Sequence, residues 1–340
     1  MPKLRILPAR AFSGRLALVG LFVFSFACVD DPADPAGPSA PTDLPVDGAV
    51  APTDLMEAAD IDVASVLIDQ RSSLPGIVFG TAGMRNEDLN KVHTGWKNGG
   101  PLTPTNILSW LSGARAKGGR AIVKLSKGSD RFVKNSDGTF SLSKWKALVG
   151  AYRNVNLAPY IKDGTIVGHM LIDEPHRSAR WGKPISHATL EEMAKYSKQL
   201  WPQMSTFVRV VPSWLGEARF QYRYVDAGWA QYERSKGDPK KWVESETAAA
   251  KREGLGLVVG LNVTDGGDGS SRISGDSPGK WAMSATELRT NGAAMLSSSH
   301  GCAFIMRAHV ESYYGRSDIK RAMAELSAKA KNHPRTSCQG

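Results

Sequence analysis

Ile166-Val167-Gly168-His169-Met170-Leu171-Ile172-Asp173-Glu174-Pro175 is a largely apolar run that ends on two adjacent carboxylates and a proline. The apolar part reads as a buried strand, because a short run of this kind bounded by breakers suits a sheet covered on both faces. Two carboxylates at the mouth of such a strand are costly to bury without partners. Pro175 ends the strand and biases Glu174 towards an extended backbone. In a (β/α) barrel this strand end lies on the face that carries catalytic side chains. A solvated acidic loop is the plainer alternative. The functional reading is preferred, since carboxylates in unusual surroundings gather at active sites.

Working outward, short apolar runs alternate with helical patterns from about residue 75 to the C-terminus, as they do when helices wrap a parallel sheet. Strands are expected at Ile77–Gly80, Ala121–Leu125, Ile166–Ile172, Thr206–Val211, Val225–Tyr232, Leu257–Val263 and Ala303–Val310, with Lys91–Trp96 as the candidate for an eighth. Helix punctuation lies between them. Thr103-Pro104 and Asp238-Pro239 supply N-caps followed by an N1 proline, Gly118-Gly119 and Gly254 supply stops, and Ser284-Ala285-Thr286-Glu287 is a capping box. A last helix is expected from about Asp318 to Lys331. Phe132–Leu142, centred on Asn135-Ser136-Asp137-Gly138, reads as an inserted hairpin. This size and alternation predict an α/β fold, a TIM-like (β/α)8 barrel over residues 63–340. An open doubly wound sheet competes, but Gly80-Thr81-Ala82-Gly83 lacks the third glycine of a dinucleotide fingerprint and no P-loop pattern occurs.

The first 62 residues read differently. Residues 1–27 place Lys3, Arg5, Arg10 and Arg15 before an apolar stretch from Leu16 to Ala27, the pattern of an export signal too short to span a membrane comfortably. Ser25-Phe26-Ala27-Cys28 resembles a bacterial lipobox with Ser25 where Leu is usual, which implies lipidation at Cys28; cleavage of an ordinary signal near Ala27 is the alternative. Residues 28–62, rich in Pro, Ala and Asp, read as an acidic flexible tether. The location expected from this is a membrane-anchored lipoprotein in the periplasm or at the cell surface. The signal segment holds four positive charges and the tether nine acids, which leaves +15 on residues 63–340 of a whole-chain +10. A domain this basic could favour an anionic polymer or an anionic envelope surface, against the more usual reading of scattered charge as a solvated surface. Its charges are scattered, without the basic, aromatic-laced blocks of a nucleic-acid surface, so no nucleic acid is expected. In an exported chain Cys302 and Cys338 are a disulfide candidate, against a buried thiol and a free tail thiol.

The residues following each expected strand would meet on one face: Arg85 and Asn86, Ser126 and Lys127, Asp173, Glu174 and His176, Trp214, Tyr232 and Glu233, Asn262 and Asp265, and His309 and Glu311. Carboxylates, amides and aromatics converging in this way suit a carbohydrate. Candidate substrate contacts are Arg85, Lys127, Trp214, Trp229, Tyr232, Asn262 and His309, although a Trp near a strand end more often packs the core. Leu171-Ile172-Asp173-Glu174-Pro175 resembles the fourth-strand motif of (β/α)8 glycoside hydrolases, where Glu after Asn or Asp is the acid/base and Pro often follows. The resemblance rests on about five residues and extends loosely over 75–335 as architecture. It implies Glu174 as the proton donor, with a pKa raised by burial and by Asp173. A second carboxylate must then act as nucleophile or base; Glu233 is the first choice, with Asp265 and Glu311 as alternatives.

Three other readings stay open. Asp173-Glu174 is similar to the dyad of enzymes that cleave N-acetylhexosamine linkages using the substrate acetamide, with Tyr232 assisting. Asp173, Glu174, His176 and His309 could hold a divalent ion, but no HxH or HExxH occurs, and no metal or other cofactor is expected. A carbohydrate-binding or envelope protein on a barrel scaffold is the non-enzymatic reading. The expected state is a monomer acting on a glycan, an acidic one included.

Overall fold

The computed structural model describes residues 76–334 and 337–339. Eight parallel strands close into a barrel in sequence order: β1 (Val78–Ala82), β2 (Gly95–Lys97), β3 (Arg120–Val123), β4 (Ile166–Asp173), β5 (Ser205–Arg209), β6 (Ala227–Tyr232), β7 (Gly256–Leu261) and β8 (Gly301–Met306). The eighth strand sought in the sequence is β2. It overlaps the Lys91–Trp96 candidate only at Gly95 and Trp96, and Asn90–Thr94 forms the turn leading into it. The export signal, the tether and Cys28 lie outside the described residues.

Side chains alternate across each strand. Val78, Ile122, Met170, Phe207, Trp229, Val258, Ala303 and Ile305 fill the barrel interior as one cluster. Their neighbours Phe79, Val123, Val208, Ala230, Val259 and Phe304 face outward, into the layers beneath the helices. Two large rings fit the interior because glycines stand opposite them. A Cβ on Gly168 would lie 2.3 Å from the Phe207 ring, and one on Gly260 would lie 2.1 Å from Ile305 O. The Trp229 indole N–H donates to that same Ile305 carbonyl at 3.2 Å. Among the described residues, no helix is long and apolar enough to cross a membrane.

The helices are α1 (Ile107–Ala116), α2 (Leu142–Gly150), α3 (Ala158–Lys162), α4 (Ser178–Trp181), α5 (His187–Leu200), α6 (Pro212–Leu215), α7 (Pro239–Arg252), α8 (Ala285–Met295), α9 (Glu311–Tyr314) and α10 (Ser317–Lys331). Asp238 caps α7 by accepting from Lys241 N, and Ser284 and Glu287 form the expected capping box on α8. Thr103 does not cap a helix directly. It exchanges hydrogen bonds with Asn106 across one turn, and Asn106 is the residue that precedes α1. The expected hairpin is a single antiparallel bridge between Lys134 and Phe140, entered through a 3-10 turn at Asp130–Val133. Cys302 and Cys338 form a disulfide that ties the tail to β8.

Candidate functional site

The alternation that puts Trp229 and Ile305 inside the barrel puts the last inward residue of seven strands in one layer at its C-terminal mouth. These are Lys97, Lys124, Asp173, Arg209, Gln231, Asn262 and Arg307, one from or just after each of β2 to β8; β1 contributes Ala82. A register shift between Met170 and Ile172 keeps β4 in phase, so that Leu171 and Ile172 both pack outward and Asp173 turns in. The layer below is apolar and the layer at the mouth is almost wholly charged or amide. Trp229 is the floor between them.

Above this floor lies a cavity of about 690 Å³, lined among others by Asp173, Glu174, Arg180, Arg209, Glu233, Asn262, Asp265 and Arg307. Asp173 is clamped between Arg209 and Arg180, the latter at 2.8 Å. Burial by itself would raise its pKa, but the two guanidiniums reverse this and hold it down at about 2. Glu174 is also paired, with Arg177 at 2.9 Å, Arg180 at 3.1 Å and Arg209 at 3.7 Å. Arg180 reaches on to Asp130 at 2.6 Å, and Lys124 binds the same carboxylate at 3.3 Å. Lys97 lies half-buried among these cations. Burial first, and then Lys124, lower its pKa to about 8, with Asp173 opposing them.

Glu174 has φ +48, in the left-handed region that non-glycine residues seldom occupy, rather than the extended backbone expected before Pro175. Three hydrogen bonds hold it there. Glu174 N donates to Arg209 O at 2.9 Å, and the Trp181 indole donates to the carbonyls of Asp173 and Glu174, each at 3.1 Å. A backbone of this kind costs about 1–3 kcal/mol and tends to persist where it aims a functional side chain. Further along the cavity wall, Glu233 accepts from Ser235 at 2.7 Å and from Asn262 at 3.4 Å. Asp265 accepts from Ser277 N and Oγ, both at 2.9 Å, and pairs with Arg307 at 3.2 Å. Burial pushes the Asp265 carboxyl up, and these donors outweigh it to leave its pKa below the ordinary value.

Of the residues chosen from sequence, Glu174, Asp173, Glu233, Asp265, Asn262, Trp229 and His176 line this cavity. The others lie elsewhere. Tyr232 is buried, with its hydroxyl donating to Gly237 O, because it is one residue past the inward position held by Gln231. The Trp214 ring packs on His187 at 4.2 Å. Lys127 extends over the Phe132 ring, and Arg85 pairs with Asp88 in the loop after β1. His309 and Glu311 line a second cavity beside the β8–β1 seam, so the ligand set Asp173, Glu174, His176 and His309 is not assembled. His169 is a core residue: it is fully buried, bonded to Ser197 Oγ at 2.9 Å and kept neutral by burial.

Arg180, Arg209, Arg307, Lys97 and Gln231 were missed in the sequence. Arg209 and Arg307 did carry a signal, as single charges near the ends of otherwise apolar runs.

No protein-family model matches the chain, and no curated protein is similar to it in sequence. Solved structures do match in architecture. A β-galacturonidase from Eisenbergiella tayi bound to galacturonate superposes with TM-score 0.50 at 10% identity, over 76% of this chain and 52% of that one. An endoglucanase from Pseudomonas stutzeri gives 0.49 at 11%, covering 74% and 85%. An endo-1,4-β-mannanase from Thermotoga petrophila gives 0.48 at 13%, covering 75% and 99%. These neighbours are glycoside hydrolases built on an eight-strand parallel barrel. The chain shares the barrel fold of the first of these.

Proposed function

We propose that the protein is a glycoside hydrolase that acts outside the cytoplasm on a glycan bearing carboxylate groups. The observation that carries this reading is the convergence of Glu174, Glu233 and Asp265 on one cavity at the C-terminal mouth of the barrel. Glu174 is the proton donor to the leaving oxygen, and Glu233 is the second carboxylate, serving as nucleophile or base. Asp265, fastened by Ser277 and Arg307, stays ionised and orients Arg307.

The cations support this substrate class. Arg177, Arg180, Arg209, Lys236, Lys280 and Arg307 line the cavity, more than its four carboxylates need. A uronate carboxylate entering there competes with Glu174 for Arg177 and Arg180. The export-type residues 1–27 and the Cys302–Cys338 bond support action outside the cytoplasm.

A second reading, an anionic-glycan-binding protein without hydrolysis, is favoured by the ion pairing of both Asp173 and Glu174. Reducing-sugar release from uronate, neutral and N-acetylhexosamine polymers separates the two. Release from uronate polymers that is lost in folded Glu174→Gln supports the hydrolase. Equal binding by both proteins with no release supports the second reading.

A further inference from the structure

The second cavity, about 530 Å³, lies against the seam where β8 pairs with β1, and its walls include Asp88, His93, His309 and Glu311. Three of these bring donor atoms together: one carboxylate oxygen each from Asp88 and Glu311 and one imidazole nitrogen of His309 lie within 4.8 Å of one another. His309 Nε2 is 3.8 Å from Asp88 Oδ2 and 3.6 Å from Glu311 Oε2. A zinc ion about 2.1 Å from each tetrahedral ligand sets neighbouring donors roughly 3.4 Å apart. The two separations from His309 need closing by only a few tenths of an ångström. The two carboxylate oxygens lie within 4.8 Å of each other, and the Glu311 side chain, 81% exposed, is free to close that distance.

Two independent features point to a ligand in this space. His93 is only 8% exposed, faces the cavity, and has no hydrogen-bond partner on either ring nitrogen. Buried imidazole nitrogens are ordinarily satisfied, and one that is not calls for a partner. The His309 side chain is 10% exposed; its Nδ1 is 3.1 Å from Thr81 Oγ1, while its Nε2, on the side of the carboxylates, lacks a hydrogen bond. With the proton on Nδ1 and donated to Thr81, Nε2 presents a lone pair to the cavity. This is how an outer partner orients a metal-binding histidine.

We infer that Asp88, His309 and Glu311 form a site for one divalent transition-metal ion such as zinc, with His93 beside it as a partner for a metal-bound water. Mixed imidazole and carboxylate donors suit zinc and its neighbours, whereas an imidazole is a poor choice for magnesium or calcium. Two carboxylates balance the charge of the ion. Arg85, which donates to both Asp88 oxygens at 3.3 Å, stays as the outer neighbour of that carboxylate. Lys91 and Lys320 also line the cavity. The ion would fasten the loop after β1 to the segment after β8, two residues beyond Arg307.

The test is titration of the tag-free, chelator-treated full chain with ZnCl2, followed by calorimetry and by thermal unfolding. One zinc per chain is expected, with a midpoint that rises as zinc is added, because an ion bound only by the folded state stabilises it. MgCl2 at the same concentrations is expected to do neither. Glu311→Gln alters an exposed side chain, so it keeps the fold, and it is expected to weaken zinc binding at least about tenfold. His309→Asn is expected to weaken it further. Absence of binding, an equal response to magnesium, or zinc affinity unchanged in Glu311→Gln would each overturn the site.

Discussion

The two cavities use ionisable groups in opposite ways. In the large one at the barrel mouth each carboxylate already has a donor: Asp173 and Glu174 the arginines, Glu233 Ser235 and Asn262, and Asp265 Ser277 and Arg307. In the smaller one at the seam, His93 has no hydrogen bond and His309 Nε2 has only long contacts to two carboxylates. A self-satisfied network resists water and holds its geometry before anything binds. A set of donors lacking a common centre is shaped for something it does not itself contain. On the proposed readings, the mouth would exchange its ion pairs with a charged substrate, and the seam would receive an ion.

Substitutions can break this comparison. The largest effect is expected from Glu174→Gln, which should lower turnover of a uronate polymer by about 10³-fold, in the range of general acid catalysis, while the unfolding midpoint is retained. Loss of activity together with loss of folding would mean that Glu174 serves the network and not the chemistry. Next is Arg209→Met. It strips Asp173 of a guanidinium in a nearly buried pair, and denaturant titration should show about 3 kcal/mol of lost stability. A change well under that would mean that Arg180 alone suffices.

The same pair sets an acid limit. The folded-state pKa of Asp173, about 2, lies below its ordinary 3.8, so the ionised group favours the folded state above about pH 4. That contribution, of order 2 kcal/mol, should vanish as the pH falls from 4 through 2, and Asp173→Asn should flatten the profile in this window. The smallest effect belongs to the seam. Arg85→Ala removes an exposed arginine from its pair with Asp88, and the midpoint should stay where it was. A clear loss there would show that the seam, like the mouth, depends on its ion pairs.

Much of the barrel was legible in the sequence. Seven strands were read within a few residues, and Ser284–Glu287 and Asp238-Pro239 cap the helices they were expected to cap. β2 was hard to see because it has three residues, Gly95-Trp96-Lys97, of which Trp96 is the outward-facing apolar one. At the site, errors follow from strand ends. The runs Thr206–Val211 and Ala303–Val310 stay apolar beyond the true ends at Arg209 and Met306, so Trp214, His309 and Glu311 were chosen in place of Arg209 and Arg307. Where the expected end fell closer, as at Asp173 at the end of β4 and Asn262 just after β7, the chosen residues do line the cavity.

Local chemistry by itself determined the alternation of strands and helices, the caps, and the placing of Asp173-Glu174-Pro175 at the end of a buried strand. Those features depend on neighbours a few residues apart, where propensity, periodicity and hydrogen bonding act directly. Tertiary structure decided which side chain stands last on the inner face of each strand, because closure of the barrel sets the register and a shift of one residue reverses every side chain. It also decided that Glu174 meets three arginines from two segments, and that Asp88 from the first loop meets His309 and Glu311 from the last. Groups more than 200 residues apart in sequence come within 4 Å only because β8 closes on β1.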